Sequence, residues 1–355
     1  MRVLYFGIYN PSYARNWVII NGLRKNGIEV IELFEKPSKS SLFRLAIRYL
    51  LLKEKFDLVI VGFPGQEIMF LAKMIIRKPI IFDAFTSHYG GYILDRKRSS
   101  PTSLMARYYR FLDTWSCKFA DVILLDTQAH IDFFIREFGL PASKFRRIWI
   151  GANDDNFKPV NRQDLFKQVL PVNDKFKVIF FGTYVPLQGV EYIIRAAKVL
   201  ESQKDVIFQF IGKGQDRNKC IELSKNLGLK NIEFIDMMKP EDLRIEIAKS
   251  DIVLGLFGDT PKTPIVIPNK VYEALAMKKP VITADTPAIR ELFDDNDMFL
   301  VPAANPHKLA QAIIELKNSP ELRMKFSENG YRKFIDRASS KVLGQEVRDI
   351  CLSLK

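Results

Sequence analysis

The sequence is poor in the residues that build metal centres and covalent frameworks. Its 355 residues include three cysteines and three histidines. Cys117, Cys220 and Cys351 are scattered, with no CxxC spacing and no histidine pair beside them. That pattern excludes a zinc site or a disulfide framework and fits a reducing cytosol. No window offers about 18 uninterrupted apolar residues, so no transmembrane helix is expected. The opening MRVLYFGIYN reads as a short strand rather than a signal peptide. Short-period repeats and low-complexity tracts are absent, and no metal site is expected.

What remains is a globular composition, 47% apolar and 27% charged. The length suggests two domains, each able to bury its own core. The net charge of +13 is unevenly placed: residues 1–150 hold 23 Lys/Arg against 13 Asp/Glu, and the remaining residues hold 31 against 28. A basic first half attracts nucleic acid, anionic lipid or phosphorylated substrates. No nucleic-acid-binding motif accompanies the charge, so nucleic acid is not the expected partner.

Short apolar runs alternate with helical patterns. RVLYFGI, EVIELF, FDLVIVGF, PIIFDAF and DVILLDT read as strands, and ARNWVIINGLRKNG as a helix closing on Gly27. Strands apolar on both sides predict a parallel sheet covered by helices on both faces. The rhythm restarts after GANDDNFKPVNRQ. KVIFFGT, VIFQFIG, IEFIDM, DIVLGLF and PVITAD are strand candidates, while VEYIIRAAKVL, KLAQAIIELK and KVLGQEVRDICLSL are helical. The expected fold class is α/β, with two doubly wound domains and a boundary near residues 155–175. Ligands in such sheets bind at the carboxyl ends of the strands, and two facing domains would enclose a cleft.

Three strand-to-helix turns in the second half carry candidate chemistry. FFGTYVPLQGVEYI places Gly182 at a strand end and Gly189 before a helix, which lets backbone N–H groups approach an anion or simply turns the chain. IGKGQDR supplies Gly212 and Gly214 without a full GxGxxG or Walker A pattern, and Lys213 either touches phosphate or is a solvated turn residue. IPNKVYEALAM is the third. Asn269 is a plausible N-cap, and Lys270, Glu273 and Met277 share one helix face. A helix N-terminus beside Lys270 favours a phosphate, and Glu273 could accept hydrogen bonds from vicinal ribose hydroxyls. The alternative is a plain surface Glu–Lys pair.

FGTYVPLQGVEYIIRAA, IGKGQ and PNKVYEALAMKKPVITADTPAIREL, in this order, resemble the family 4 retaining glycosyltransferases, and the likeness extends to LLDTQAHIDFF and IGANDDNFKP. The resemblance implies a GT-B fold: an acceptor-binding Rossmann-like domain at 1–160, joined by a returning helix at about 338–355, and a nucleotide-sugar-binding one at 161–337. It implies sugar transfer from a nucleoside-diphosphate sugar, UDP- or GDP-linked, with retention and without metal or other cofactor. Glu273 matches the family's ribose-binding glutamate. Three positions depart from the pattern. Ile265 stands where the family often has a first acidic residue, and Thr183 and Gln188 stand where it often has Arg and Lys for the diphosphate. A pyrophosphate site would then need positive charge from elsewhere, with Lys270 the first candidate and Lys262 the second. Gly182, Thr183, Gln188, Gly189, Gly212, Lys213, Pro268 and Asn269 complete the expected donor site. Retaining transfer in this family proceeds on one face, so a missing nucleophilic carboxylate does not argue against activity.

In the first half, IIFDAFTSHYGGYILDRKR puts Asp83 and His88 at or beyond a strand's carboxyl end. The family places a histidine here against the transferred sugar; otherwise His88 is a loop residue. Arg15 and Asn16, after the first strand, are acceptor-side candidates together with Asp83. SLFRLAIRYLLLKEK and MARYYRFLDTWSCK combine Arg44, Arg48, Lys55, Arg107, Arg110 and Lys118 with aromatic residues. They read either as membrane-surface helices or as ordinary amphipathic packing. The function expected is a cytoplasmic glycosyltransferase of polysaccharide, lipopolysaccharide or glycolipid assembly, either free or peripheral on the inner face of the membrane, acting on a glycan or lipid-linked acceptor. The alternatives are a non-catalytic nucleotide- or lipid-binding homologue and a GT-B-shaped nucleotide-sugar epimerase.

Overall fold

A computed structural model describes residues 1–160 and 175–354. The chain forms two compact units, Met1–Asn153 with Arg337–Lys355, and Asp154–Asp336. The stretch 161–174, where the expected boundary partly falls, lies outside the described residues.

The first unit holds a sheet of six parallel strands: β1 (Arg2–Ile8), β2 (Glu29–Glu35), β3 (Leu58–Val61), β4 (Ile80–Asp83), β5 (Val122–Leu125) and β6 (Phe145–Arg147). Their order is β2-β1-β3-β4-β5-β6. The apolar runs form strands because both faces are covered: Val3, Leu4, Tyr5 and Phe6 of β1 have no exposed surface. The step from β1 to β2 runs one way along the sheet and every later step runs the other way. Right-handed crossovers therefore put α1 (Ala14–Lys25) on one face. They put α2 (Ser41–Leu50), α3 (Gln66–Ile75), α4 (Leu104–Phe119) and α5 (Gln128–Phe138) on the other. The last helix, Ser340–Ser353, joins α1. Gly22 and Gly344 meet so closely that a side chain on either would strike the other's backbone, and Lys25 Nζ donates to Ser340 Oγ at 2.9 Å. The C-terminal helix thus returns to the first unit.

The second unit repeats the plan with β7 (Phe176–Thr183), β8 (Val206–Lys213), β9 (Ile232–Ile235), β10 (Ile252–Leu254), β11 (Val281–Ala284) and β12 (Phe299–Val301). The order is β12-β11-β10-β7-β8-β9, so the chain reverses direction along the sheet between β7 and β10. Phe180, Phe208 and Phe210 pack with Ile193, Ile194 and Ile313 in its core. Burying each such side chain contributes about 1.5–3 kcal/mol.

Several local readings are corrected. The three-residue edge strands β6 and β12 escape the sequence pattern. DIVLGLF is strand only to Leu254, after which Gly255 opens a loop. Helix α2 ends at Leu50, so Lys55 lies beyond it. Among the described residues the cysteines are free and buried, no side-chain group could hold a metal, and no helix is long and apolar enough to cross a membrane.

Candidate functional site

The carboxyl ends of β7 and β10 mark the point where the strand order reverses, the position at which doubly wound sheets bind ligands. Two loops meet there. The Phe257 N–H donates to the Gln188 carbonyl at 3.0 Å, and the Gly258 N–H to the Leu187 carbonyl at 3.1 Å. Gly189 has φ +62°, and a Cβ there would strike the backbone of Phe257 and Gly258. This close approach holds Gln188 over the sheet edge. Gly189 also caps the helix Val190–Val199.

A third segment supplies a cation to the same point. Pro268, not Asn269, is the N-cap of the helix Asn269–Ala276, because its extended backbone (φ −72°, ψ 148°) leads into the first turn. No side chain caps that helix; the Val271 N–H donates to the Pro268 carbonyl at 3.0 Å, which leaves the N–H groups of Asn269 and Lys270 with their donor capacity. Lys270 is 5% exposed. Its Nζ donates to Gln188 Oε1 at 2.7 Å and to the Gly255 carbonyl at 3.4 Å, and lies 3.5 Å from the centre of the Phe180 ring. Its aliphatic end runs past Gly182. Burial pushes the ammonium well below the usual lysine range, with Glu273 pulling weakly the other way. The cation therefore faces neutral acceptors and an aromatic ring. A buried charge without a counter-ion is costly, and an anionic ligand at this point would compensate it.

Glu273 sits one turn further on and is half-buried. Among the described residues its carboxylate accepts no hydrogen bond and forms no ion pair with Lys270. Burial pushes its carboxyl up to about 7, with Lys270 holding it from rising further. Lys270 and Glu273 are therefore not a surface salt bridge. One is a buried lysine with neutral hydrogen-bond acceptors and the other a carboxyl group with its lone pairs free.

The glycine turns lie side by side: Gly182 pairs with Gly212 and Thr183 with Lys213 across β7 and β8. Thr183 and Lys213 are exposed, and Asn269 is half-buried. Lys262, half-buried, precedes the short turn Thr263–Ile265 in the loop after β10. Arg290 is bound by Asp285 and Asp295, a structural arrangement. The sequence reading missed Phe180 and Gly255. Phe180 reads as ordinary core, whereas the glycine in DIVLGLFGD was a usable signal, a third glycine at a strand end.

In the first unit the expected acceptor-side residues are corrected. Arg15 and Asp83 are fully buried and bound to each other, Nη2 to Oδ1 at 2.8 Å, with Nε 2.9 and 3.0 Å from the two carboxylate oxygens. Arg15 Nη1 also donates to the carbonyls of Ile148 and Trp149 at 2.6 and 2.9 Å. Asn16 is equally buried, accepting from Tyr5 Oη at 2.9 Å and the Phe63 N–H at 3.1 Å while donating to the carbonyls of Phe63 and Asn10. Their polar atoms are consumed in closing the ends of the strands. His88 differs. Its ring is 11% exposed, packs on Tyr92 and Tyr109, and its Nδ1 has no hydrogen-bond partner, with Glu67 Oε1 at 3.9 Å. His130 is an interior residue of α5, its Nδ1 2.7 Å from Asp126 Oδ1, and His307 is exposed in the first turn of the helix Pro306–Asn318.

Residues 161–333 match the sequence family described as "Glycosyl transferases group 1". The alpha-D-kanosaminyltransferase of Streptomyces kanamyceticus is 26% identical over 271 residues, 73% of this chain and 67% of that protein. An uncharacterized glycosyltransferase of Methanocaldococcus jannaschii is 26% identical over 175 residues, 49% of this chain and 46% of its own length. Among solved structures, Anabaena HepE in complex with UDP-glucose matches with a TM-score of 0.76 at 19% identity, covering 99% of this chain and 100% of that one. Sucrose-phosphate synthase from Thermosynechococcus elongatus has a TM-score of 0.76 at 14% identity, covering 99% and 98%. These likenesses carry the fold, which is GT-B.

Proposed function

We propose that the chain is a group 1 glycosyl transferase, the family its residues 161–333 match, and that it transfers a glycosyl unit from a nucleoside-diphosphate sugar to a hydroxyl acceptor. The observation that carries the reading is the Lys270 ammonium, buried at the switch point between β7 and β10 with only neutral partners. A diphosphate there gains a cation and the N–H groups of Asn269 and Lys270 at the start of the helix Asn269–Ala276. Glu273, with its acceptor capacity free, receives the ribose hydroxyls. Gly182, whose missing Cβ would meet only the end of the Lys270 side chain, leaves room for the phosphates to approach the end of β7, while Gly212 packs directly on the Gly182 backbone.

The chemistry follows from charge. Departure of the sugar places negative charge on the leaving diphosphate, and a preorganised cation in a buried site stabilises that charge more than water does. Lys270 thus takes the part that Arg and Lys of the glycine turn play elsewhere in the family, here replaced by Thr183 and Gln188. Transfer proceeds with retention, the donor phosphate accepting the acceptor's proton. No metal is required. Relatives that bind UDP and UDP-glucose favour a UDP-linked donor. The biological setting proposed is cytoplasmic assembly of a surface polysaccharide, lipopolysaccharide or glycolipid.

A panel of UDP- and GDP-sugars, assayed for transfer and for hydrolysis, tests the reading. Release or transfer of sugar from one donor, with the anomeric configuration kept in the product, is expected. Tight nucleotide binding without turnover would instead identify a non-catalytic binding homologue, and interconversion of the sugar without an acceptor would identify an epimerase.

A further inference from the structure

The first unit leaves uncovered an apolar surface that its own core does not need. α4 carries two apolar stripes. One, with Ala106, Leu112 and Cys117, is buried. The other faces outward at i, i+4, i+7 and i+11: Leu104, Tyr108, Phe111 and Trp115 are 81%, 52%, 48% and 40% exposed. A helix packed on a sheet needs one apolar stripe, and its outer side is normally polar. α2 repeats the anomaly. It buries only Ser41 and Leu45, while Phe43 and Leu50 are 69% and 73% exposed. α3 lies beside α4, with Phe70 against Phe111 at 5.8 Å between ring centres. Of the seventeen exposed large apolar side chains among the described residues, eleven lie on these three helices or on Leu51 just past α2, so the patch is concentrated rather than scattered.

The charge on the same helices is mostly of one sign. They carry Arg44, Arg48, Lys73, Arg107, Arg110 and Lys118, and their own acids are Glu67 and the buried Asp113; from neighbouring elements Glu35 pairs with Arg44 and Arg48, and Glu137 with Arg110. Lys118 Nζ lies 4.7 Å from the Trp115 ring centre. We propose that the α2–α3–α4 face docks on an anionic lipid bilayer, its leucines and aromatic rings entering the headgroup boundary and its basic side chains meeting lipid phosphates. Amphipathic helices seat their apolar side about 5–10 Å into that boundary. Each nearby basic residue adds about 1 kcal/mol on an anionic surface. A second copy of the chain is a poorer occupant, because a two-fold interface would set this basic face against itself. The proposal concerns the first unit alone and stands independently of the donor site.

Co-sedimentation with phosphatidylcholine vesicles containing roughly 30% phosphatidylglycerol, in about 0.05 M and about 0.5 M NaCl, tests it. Expected is binding at low salt that falls at least ~tenfold in high salt and on pure phosphatidylcholine, with a blue shift of the tryptophan emission that Trp115→Phe removes. Leu50→Glu with Leu104→Glu should weaken vesicle binding at least ~tenfold while leaving the melting temperature and nucleotide affinity unchanged, since both side chains are exposed. Absent binding, equal binding to neutral vesicles, or full binding by the double variant overturns the proposal. So does a dimer that buries this face while vesicles are ignored.

Discussion

Lys270 Nζ donates to Gln188 Oε1 at 2.7 Å, linking residues 82 apart in sequence at the point where the second sheet reverses its strand order. Gln188 stands where related glycosyltransferases often carry a basic side chain. The lysine bound to it comes from the first turn of the helix Asn269–Ala276, and the glutamine accepts its hydrogen bond.

Glu273 gives the account a pH signature. Its carboxyl goes from 4.5 to about 7 because burial disfavours the charged form. The native state therefore keeps a proton that the unfolded chain has lost, and stability falls as pH rises from about 4.5 to about 7. Below that window the contribution is intact. Glu273→Gln removes the charge that costs stability. The variant should gain about 1–3 kcal/mol over wild type at alkaline pH, discounted for partial exposure, and little at acid pH. The same variant should bind nucleoside diphosphate at least ~tenfold more weakly, the loss of about one charged hydrogen bond. Melting curves across pH and calorimetric titration check the two halves.

Lys270 predicts proton uptake. Burial lowers its affinity for a proton in the free protein, and a bound diphosphate raises it again. At alkaline pH, where Glu273 is already ionised, nucleoside diphosphate binding should take up a fraction of a proton. Calorimetry in two buffers of different ionisation enthalpy reads this directly. Lys270→Met should abolish the uptake.

The Arg15–Asp83 pair predicts a purely structural phenotype. Removing one partner strands a buried charge, so Arg15→Ala should cost about 3–5 kcal/mol of stability in the first unit. Nucleotide affinity at temperatures where the variant is folded should stay at the wild-type value. Thermal denaturation together with a nucleotide titration separates the two.

Much of this was legible in the residues. Continuous apolar runs such as LVIV and IIFD announce strands covered on both faces, and their alternation with helices announces two doubly wound domains. The three residues of β6 and of β12 are too few to carry a period, and only neighbouring strands make them strands. The motif around Glu273 was readable because a local helix sets it. The environment of Lys270 was not, because its burial depends on the loops after β7 and β10 crossing in backbone contact, a long-range event. Arg15 and Asp83 misled for the same reason. Position at a strand's carboxyl end does not reveal that two side chains 68 residues apart have already satisfied each other.

The most direct test of the central claim is a calorimetric comparison of wild type, Lys270→Met, and Lys270→Met with Gln188→Lys, titrated with UDP or GDP and with the matching nucleoside. The account predicts that Lys270→Met loses at least ~tenfold in diphosphate affinity, about 1.4 kcal/mol, while nucleoside affinity is unchanged. Returning the cation to the glycine turn through Gln188→Lys should recover most of that loss. Diphosphate affinity unaffected by Lys270→Met, or an equal loss for the nucleoside, would contradict it.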